Sequence, residues 1–362
     1  MRHISILLLI LASLNLRADP ITIVPSDRVQ RLTAAPLKVG GKVQEQNQDG
    51  LRSYRFQWPA IYFECAFVGT EACFDVGSGG VIYHVIVDGV LQPPLMKPKP
   101  GRYRILGLAQ GEHLVRVEVV TESSVPNQFG GFFIGPHTRP SRLHQRRRQI
   151  ECIGDSYMAG YGNTSKTRVC TGEQVWERTD TSNSFPVLVA KHYDADYQVN
   201  AISGRGIVRN YDGFVGSTLP EVYSKILFDE KERWSNPQWH PQIIWIDLGS
   251  NDFATPLHPT EKWKTQDELQ QDFQATYLTF VKQLRSRQPD AFFILSASGK
   301  ECEAEVKSVV EKWKAVGEKR VGYVRFPELT LEGCDWHLTV EDDEKVMGTL
   351  VTYIDREIGN AW

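Results

Sequence analysis

The segment "IECIGDSYMAGYG" (residues 150–162) marks the point where the pattern of the chain changes from one fold class to another. It opens with a short apolar run, typical of a buried strand, and continues through Gly154 and Asp155 to the hydroxyl of Ser156. Gly-Asp-Ser is also a common turn tripeptide, so the segment alone does not distinguish a nucleophile from a turn residue. The flanking sequence has to decide.

After residue 149, apolar runs alternate with amphipathic stretches. The runs have the apolar character of parallel strands, and they are "IECIG" (150–154), "YQVNAI" (197–202), "QIIWIDLG" (242–249), "AFFILSAS" (291–298) and "VGYVRF" (321–326). Helical patterns occupy 267–287 and 303–316, and the last one repeats Val346, Leu350 and Ile354 after a capping pair, Thr339 and Asp342. We therefore predict an α/β domain over 150–362, with a parallel sheet covered by helices on both faces.

Before residue 141 the pattern is different. Short β-type runs separated by Gly and Pro predict an antiparallel, jelly-roll-like β-sandwich over residues 19–140, and Asp88-Gly89 is a tight-turn signal. Residues 141–149 are predicted to be a linker. Its basic run, Arg146 to Arg148, is short enough that we expect a solvated segment rather than a phosphate-binding patch.

Composition and the N-terminus indicate the class of protein. The chain has 362 residues, 41% of them apolar, and a net charge of −3. It therefore lacks the excess of basic residues that is typical of nucleic-acid-binding proteins. Residues 1–18 have a charged start, an apolar core and a small residue at the end, which predicts a signal peptide cleaved near Ala18. No later segment approaches the roughly 20 apolar residues of a membrane span. We expect a secreted protein, extracellular or periplasmic, that acts as a monomer.

Six cysteines follow the predicted signal peptide, and none forms a C-x-x-C pair, which argues against zinc ribbons and thioredoxin-type sites. Export permits disulfides. We expect bridges between Cys65 and Cys73 and between Cys302 and Cys334, the second holding the loop before His337, and a free thiol at Cys152. We expect neither a metal nor a cofactor, because the remaining histidines, His192, His240 and His258 among them, lack metal-ligand spacing.

Four polar blocks follow four of the predicted strands, where the sheet has its ligand-binding rim. They are Gly154-Asp155-Ser156, "SGRG" (203–206), "GSND" (249–252) and "GCDWH" (333–337). A serine hydroxyl needs a base to become a nucleophile, and His337 supplies an imidazole. The developing oxyanion needs donors, which the N–H groups of Ser156 and Gly204 and the side-chain amide of Asn251 can provide. Together the blocks predict an acyl-transfer site.

The nucleophile elbow of α/β-hydrolases requires G-x-S-x-G, and Met158 stands where its second glycine would be. The order of the blocks instead resembles the SGNH, or GDSL-type, hydrolases. "SGRGIVRNY" (203–211), "LGSNDF" (248–253), "GCDWH" and a preceding β-rich domain are similar to carbohydrate esterase family 2. This resemblance implies removal of acetyl groups from plant polysaccharides such as xylan and glucomannan, with a leaning toward 6-O positions, and no metal.

The acid partner of the histidine departs from the wider pattern. The superfamily usually has Asp-x-x-His, whereas Asp335 and His337 are separated by a single residue. Residues two apart in an extended loop can fail to meet, so either Asp335 completes a triad or a backbone carbonyl orients the imidazole of a Ser–His dyad. Both remain open.

We expect substrate contacts from residues that flank the blocks. Aromatic faces stack on sugar rings, although each ring could instead serve loop packing, Trp336 less so than the others. The expected substrate-binding residues are Trp336, Asp155, Tyr157 and Phe253, with Tyr161 and Phe214 also near the rim. The leading hypothesis is a secreted polysaccharide acetylesterase. The alternatives are a carbohydrate-binding module with little catalysis and an esterase acting on lipid or peptidoglycan acyl groups.

Overall fold

The structure is a computed structural model that describes residues 20–26, 32–48, 51–359 and 362. The predicted signal peptide, residues 1–18, lies outside the described residues. Within the described part of the chain, no helix is both long enough and apolar enough to cross a membrane.

The N-terminal part is an antiparallel β-sandwich of two seven-stranded sheets, as predicted. One sheet has the order β1-β11-β7-β13-β5-β4, with β2 beside β13, and the other has the order β10-β8-β12-β6-β14, with β3 beside β6 and β9 beside β8. The strands are β1 (Thr22–Pro25), β2 (Thr33–Ala34), β3 (Lys38–Gly40), β4 (Gln44–Gln48), β5 (Leu51–Phe56), β6 (Tyr62–Val68), β7 (Ala72–Val76), β8 (Ile82–Val87), β9 (Val90–Leu91), β10 (Leu95–Met96), β11 (Gly101–Leu106), β12 (Glu112–Val119), β13 (Asn127–Ile134) and β14 (Arg139–Pro140).

The predicted tight turn joins β8 to β9. Asp88 and Gly89 have φ values of 51° and 80°. Positive φ at both central residues is what a two-residue hairpin turn of type I′ requires, and Asp-Gly is a preferred sequence for it.

The C-terminal part is the predicted α/β domain. Its five strands run parallel in the order β16-β15-β17-β18-β19. They are β15 (Arg148–Gly154), β16 (Ala195–Ala201), β17 (Ile243–Asp247), β18 (Phe292–Ala297) and β19 (Val321–Arg325). The helices are α1 (Ser156–Ala159), α2 (Gly172–Arg178), α3 (Phe185–His192), α4 (Leu219–Val222), α5 (Ser250–Phe253), α6 (Gln266–Arg287), α7 (Glu303–Ala315) and α8 (Val340–Glu357).

Helices cover both faces of the parallel sheet. Apolar residues of α3 and α8 share one core cluster with β15 and β17, while residues of α6 and α7 pack on the other face. The predicted stripe of α8 is buried, with Val346 and Leu350 fully inaccessible. Thr339 caps this helix and forms a capping box with Asp342, so α8 starts at a defined residue just after His337.

The linker is not wholly solvated, contrary to the prediction. The guanidinium of Arg146 donates two hydrogen bonds of 2.8 Å to Glu64 on β6, and Arg148 already belongs to β15. Lys38 of the sandwich also pairs with Asp196 of β16 at 2.6 Å. Buried charges require such partners because water no longer solvates them. The two parts of the chain are thus joined by an ionic interface.

Both predicted disulfides are wrong, and the structure has a bridge between Cys170 and Cys334 instead. Cys65 and Cys73 lie on strands of opposite sheets, and each thiol is free and buried. Cys302 is also free and lies behind Gly249, where an added Cβ would be 3.0 Å from it. Cys152 is a free buried thiol, as predicted.

Candidate active site

Ser156 is the first residue of α1, immediately after the carboxyl end of β15. Asp155 is the N-cap, and its carboxylate accepts a hydrogen bond of 3.1 Å from the N–H of Tyr157. Gly154 allows the tight strand-to-helix junction, since a Cβ there would lie 2.6 Å from Met158. The chain therefore places the Ser156 hydroxyl at the rim of the sheet, where the sequence predicts it.

His337 reaches this serine from the other end of the domain. Its Nε2 lies 2.8 Å from Ser156 Oγ, and its Nδ1 lies 3.0 Å from the carbonyl oxygen of Cys334 and 3.1 Å from that of Asp335. A carbonyl oxygen can only accept, so Nδ1 carries the proton and Nε2 is free to accept the serine proton.

The Asp335 carboxylate lies elsewhere. It accepts a hydrogen bond of 3.0 Å from the hydroxyl of Tyr161, and only the Asp335 backbone carbonyl faces the imidazole. Asp335 and Trp336 have φ values of 51° and 64°, in the left-handed region. This turn directs carbonyl groups toward His337. Of the two arrangements left open by the sequence, the geometry favours the Ser–His dyad.

The surroundings of the imidazole favour its neutral form. The rings of Tyr161 and Tyr157 lie with their centres 4.3 Å and 5.1 Å from that of His337. Burial lowers the pKa of His337, and the two backbone carbonyls at Nδ1 only partly oppose this. A neutral imidazole is what a general base requires.

The loop before His337 is held by the segment that contains Arg168 and Cys170. The disulfide ties Cys334 to Cys170, and the N–H of Asp335 donates to the carbonyl of Arg168 at 2.8 Å. The Arg168 guanidinium lies 3.7 Å from the ring centre of Trp336 and donates to the carbonyl of Leu331 at 2.8 Å. Left-handed backbone at non-glycine residues costs energy, and these contacts stabilise it.

Asp155 is not available to a substrate, contrary to the expectation. Its side chain is fully buried and accepts hydrogen bonds from the Ser250 hydroxyl at 2.6 Å and from Asn251 Nδ2 at 2.9 Å. Burial raises the pKa of Asp155, whereas its hydrogen bonds with Ser250 and Tyr157 act in the opposite direction. It connects the first block to the third.

The expected oxyanion donors lie on three connected blocks. Asn251 Nδ2 also donates to the carbonyl of Arg205 at 3.0 Å, and the Asp252 carboxylate accepts from three successive N–H groups, those of Ile207, Val208 and Arg209. Among the described residues, the N–H groups of Ser156 and Gly204 have no hydrogen-bond acceptor. Two donors are therefore free, while both hydrogens of the Asn251 amide are engaged.

The expected aromatic contacts divide into two groups. Trp336 is 61% exposed, and Tyr157 borders a cleft of about 720 Å³ beside Ala297–Glu301 and Phe326–Leu329. Phe253 instead is partly buried and makes a T-shaped contact with the buried ring of Phe273, so it packs against the hydrophobic core. Phe214 is 42% exposed, and its ring lies 4.8 Å from the Arg205 guanidinium.

Sequence reasoning missed the contacts that support the site. It did not pair Cys170 with Cys334, because connectivity depends on how the 163–171 loop folds back on the histidine loop. Arg168 was also missed, and its one available signal was its position close to Cys170. Within the part of the chain that the structure covers, no group of three or more His, Cys, Asp or Glu residues is arranged to hold a metal ion.

Comparison with known proteins identifies the family of this chain. Residues 39–141 match the family model of the N-terminal domain of carbohydrate esterase 2, and residues 152–341 match the GDSL-like lipase/acylhydrolase family. The chain is 41% identical over 332 residues to an acetylxylan esterase / glucomannan deacetylase of Cellvibrio japonicus, a match that covers 90% of this chain and 92% of the relative.

Solved structures give the same result. A carbohydrate esterase whose active site displays divergent catalytic and non-catalytic binding functions superposes with a TM-score of 0.86 at 38% identity, over 90% of this chain and 99% of that one. A family two carbohydrate esterase from Clostridium thermocellum, solved in complex with cellohexaose, superposes with a TM-score of 0.78 at 27% identity over the same shares. The protein is a carbohydrate esterase and belongs to carbohydrate esterase family 2.

Proposed function

We propose that this protein is a secreted serine esterase that removes O-acetyl groups from xylan or glucomannan, 6-O-acetyl groups included, through an acetyl-enzyme on Ser156. The observation that carries the proposal is the 2.8 Å contact between His337 Nε2 and Ser156 Oγ beside two unpaired N–H donors. The signal peptide predicted over residues 1–18 supports secretion.

Acylation uses both nitrogens of His337. Nε2 takes the proton of Ser156 Oγ as this oxygen attacks the acetyl carbonyl, and Nδ1–H stays bonded to the carbonyls of Cys334 and Asp335. Negative charge develops on the carbonyl oxygen and is stabilised by the N–H groups of Ser156 and Gly204. Asn251 can contribute once one of its amide hydrogens is shared with the oxyanion. The tetrahedral intermediate then collapses as its bond to the sugar oxygen breaks, and the proton on Nε2 passes to that oxygen, which leaves as a sugar hydroxyl.

Deacylation repeats these steps with water as the nucleophile. Nε2 takes a proton from a water molecule while the water oxygen attacks the acetyl-serine. The N–H groups of Ser156 and Gly204 stabilise the second oxyanion as they did the first. Collapse releases acetate, and the proton returns to Ser156 Oγ. The residues named need no metal or redox group for either half-reaction.

The substrate class rests on the relatives and on the shape of the rim. The Cellvibrio relative is an acetylxylan esterase / glucomannan deacetylase, and Trp336 offers an exposed face beside the catalytic pair. The test is time-resolved NMR of acetylated xylan and acetylated glucomannan, which reports both substrate and position. If both polymers keep all of their acetyl signals, the proposal is contradicted.

A second candidate function is non-catalytic binding of unacetylated glycan at the same site. It is favoured by the solved relatives, one with non-catalytic binding functions at its active site and one in complex with cellohexaose. Binding of cello-oligosaccharide that persists in a Ser156→Ala variant would support it.

As the pH is lowered, the activity is expected to fall only below the usual pKa of a histidine. The base must be neutral, and burial lowers the pKa of His337. Protonation therefore removes activity as the pH falls through this lowered pKa, while the enzyme stays active between it and the usual value of about 6.5. The pH profile of kcat/KM on a non-ionising aryl acetate measures this, and an acid limb above about 6.5 would contradict it.

Trp336→Ala is expected to raise KM for an acetylated oligosaccharide by about tenfold, because the sugar ring loses the indole as a stacking partner. Hydrolysis of a small aryl acetate should fall much less, because the histidine loop loses the contact of Trp336 with Arg168 but keeps the disulfide and the hydrogen bond between Asp335 and Arg168. Trp336→Phe keeps an aromatic face and serves as the matched variant, with a smaller rise. An unchanged KM for the oligosaccharide in Trp336→Ala would remove this residue from the substrate site.

A further inference from the structure

Glu122 brings a carboxylate from the sandwich to the second catalytic block. It follows β12, and it accepts a hydrogen bond of 2.7 Å from the N–H of Ser203 and another from the Ser203 hydroxyl. Among the described residues, Glu122 is the only hydrogen-bond partner of these two groups. Ser203 directly precedes Gly204, whose N–H is an unpaired donor at the site.

The local backbone explains why this contact matters. The N–H of Arg205 donates to the carbonyl of Ile202 at 3.2 Å, and Gly204 has a φ of +77°. These are the features of a type II turn with glycine at its third position. Glycine is equally at ease with negative φ, so the peptide between Ser203 and Gly204 can flip. The orientation of that peptide sets the direction of the Gly204 N–H.

The flanks of the turn are fixed by the hydrolase domain itself. The N–H of Ile202 donates to the carbonyl of Gly154 at 3.3 Å, and the carbonyl of Gly204 accepts from Tyr211 at 2.9 Å. Neither bond reaches Ser203. The carboxylate of Glu122 accepts two hydrogen bonds from Ser203. It therefore restrains the peptide between Ser203 and Gly204, which these two backbone bonds of the hydrolase domain leave free to rotate.

We infer that Glu122 is a positioning residue for the oxyanion hole, supplied by the sandwich, which directs the Gly204 N–H toward the reacting carbonyl by holding Ser203. This inference rests on the proposed role of the Gly204 N–H in acyl transfer. It gives the sandwich a part in catalysis, because the hole has its active orientation only when the two domains are joined.

The experiment compares kcat and KM of the full-length enzyme on a small aryl acetate in four variants. Loss of a whole oxyanion donor costs about 10²–10³ in rate. Glu122→Ala leaves the Gly204 N–H present but no longer held in its direction, so kcat is expected to fall about 10- to 100-fold with KM nearly unchanged. Glu122→Gln still accepts from the Ser203 N–H and is expected to stay within about fivefold of the parent. Ser203→Ala removes one contact and should lower kcat less than Glu122→Ala.

Tyr62→Phe is the matched control for domain contact. It removes a different hydrogen bond between the domains, that of the Tyr62 hydroxyl with Asp196 at 2.8 Å, and should leave kcat unchanged. Inactivation by an aryl phosphonate, whose phosphoryl oxygen occupies the oxyanion hole, should slow in parallel with kcat in Glu122→Ala. A merely structural role would lower the melting temperature without this parallel loss.

The outcomes separate the inference from the proposed function. If hydrolysis requires Ser156 but a folded Glu122→Ala variant keeps the parental kcat, the inference is overturned alone. If Glu122→Ala does not fold, Ser203→Ala decides, and an unchanged kcat there overturns the inference equally. If the parent's hydrolysis survives Ser156→Ala, the proposed function fails and the inference fails with it.

Discussion

Ser156→Ala is expected to lower kcat for acetyl ester hydrolysis by about 10⁴- to 10⁶-fold, the largest effect of any single change. In the proposed mechanism the Ser156 hydroxyl forms the acyl bond. Among the described residues, Ser156 Oγ is the hydrogen-bond partner of His337 Nε2, at 2.8 Å. Removing a serine nucleophile typically costs about this much, since the oxyanion hole and binding alone give only a small residual rate.

The measurement is steady-state hydrolysis of an aryl acetate and of an acetylated oligosaccharide, with mass spectrometry of the acetyl-enzyme after rapid quenching. Ser298→Ala is the matched control, because this serine borders the cleft but is not the hydrogen-bond partner of His337 Nε2, which is Ser156. The parent should form the acetyl adduct and Ser156→Ala should not. An adduct that persists in Ser156→Ala would mean that another residue is the nucleophile.

The strands and the polar blocks were predictable because their signals are local. The five apolar runs correspond to β15–β19, and Ser156 and His337 meet as the rim of a parallel sheet requires. Hydrophobic period and the position of a residue after a strand are enough for such predictions. The resemblance to carbohydrate esterase family 2 is likewise confirmed, by the family models that match residues 39–141 and 152–341 and by the relative that is 41% identical.

The contacts that differ from expectation depend on where side chains point and how deeply they are buried. Asp155 has the chemistry of a ligand-binding residue, but its burial against Ser250 and Asn251 commits it to holding the blocks together. Phe253 has an aromatic ring, but it is partly buried and makes a T-shaped contact with Phe273. Cys334 pairs with a cysteine that is 164 residues away. Sequence shows the type of group and leaves its partner undetermined.

His337→Ala is expected to lower kcat by about 10⁴-fold or more, whereas Asp335→Ala lowers it by less than about tenfold. A triad carboxylate typically contributes about 10⁴ because it fixes the tautomer and stabilises the imidazolium. Here the carbonyls of Cys334 and Asp335 hold Nδ1–H, at 3.0 and 3.1 Å, while the Asp335 carboxylate accepts from Tyr161. Asp335→Ala keeps the backbone carbonyl that faces Nδ1 and loses the carboxylate that accepts from Tyr161.

Kinetics on an aryl acetate at several pH values test this difference. Tyr161→Phe is the matched control, since it breaks the same hydrogen bond from the other side and should resemble Asp335→Ala in kcat. The acid limb of kcat/KM should stay in place in Tyr161→Phe and move to lower pH in Asp335→Ala, because burial lowers the pKa of His337 and the Asp335 charge, which raises it, partly opposes that effect. Alanine at 335 also disfavours the left-handed φ of 51°, so Asp335→Asn, which tolerates that conformation better, separates strain from lost charge. Equal losses of kcat in His337→Ala and Asp335→Asn would refute the dyad, because only a carboxylate acting on the imidazole makes these two changes equivalent.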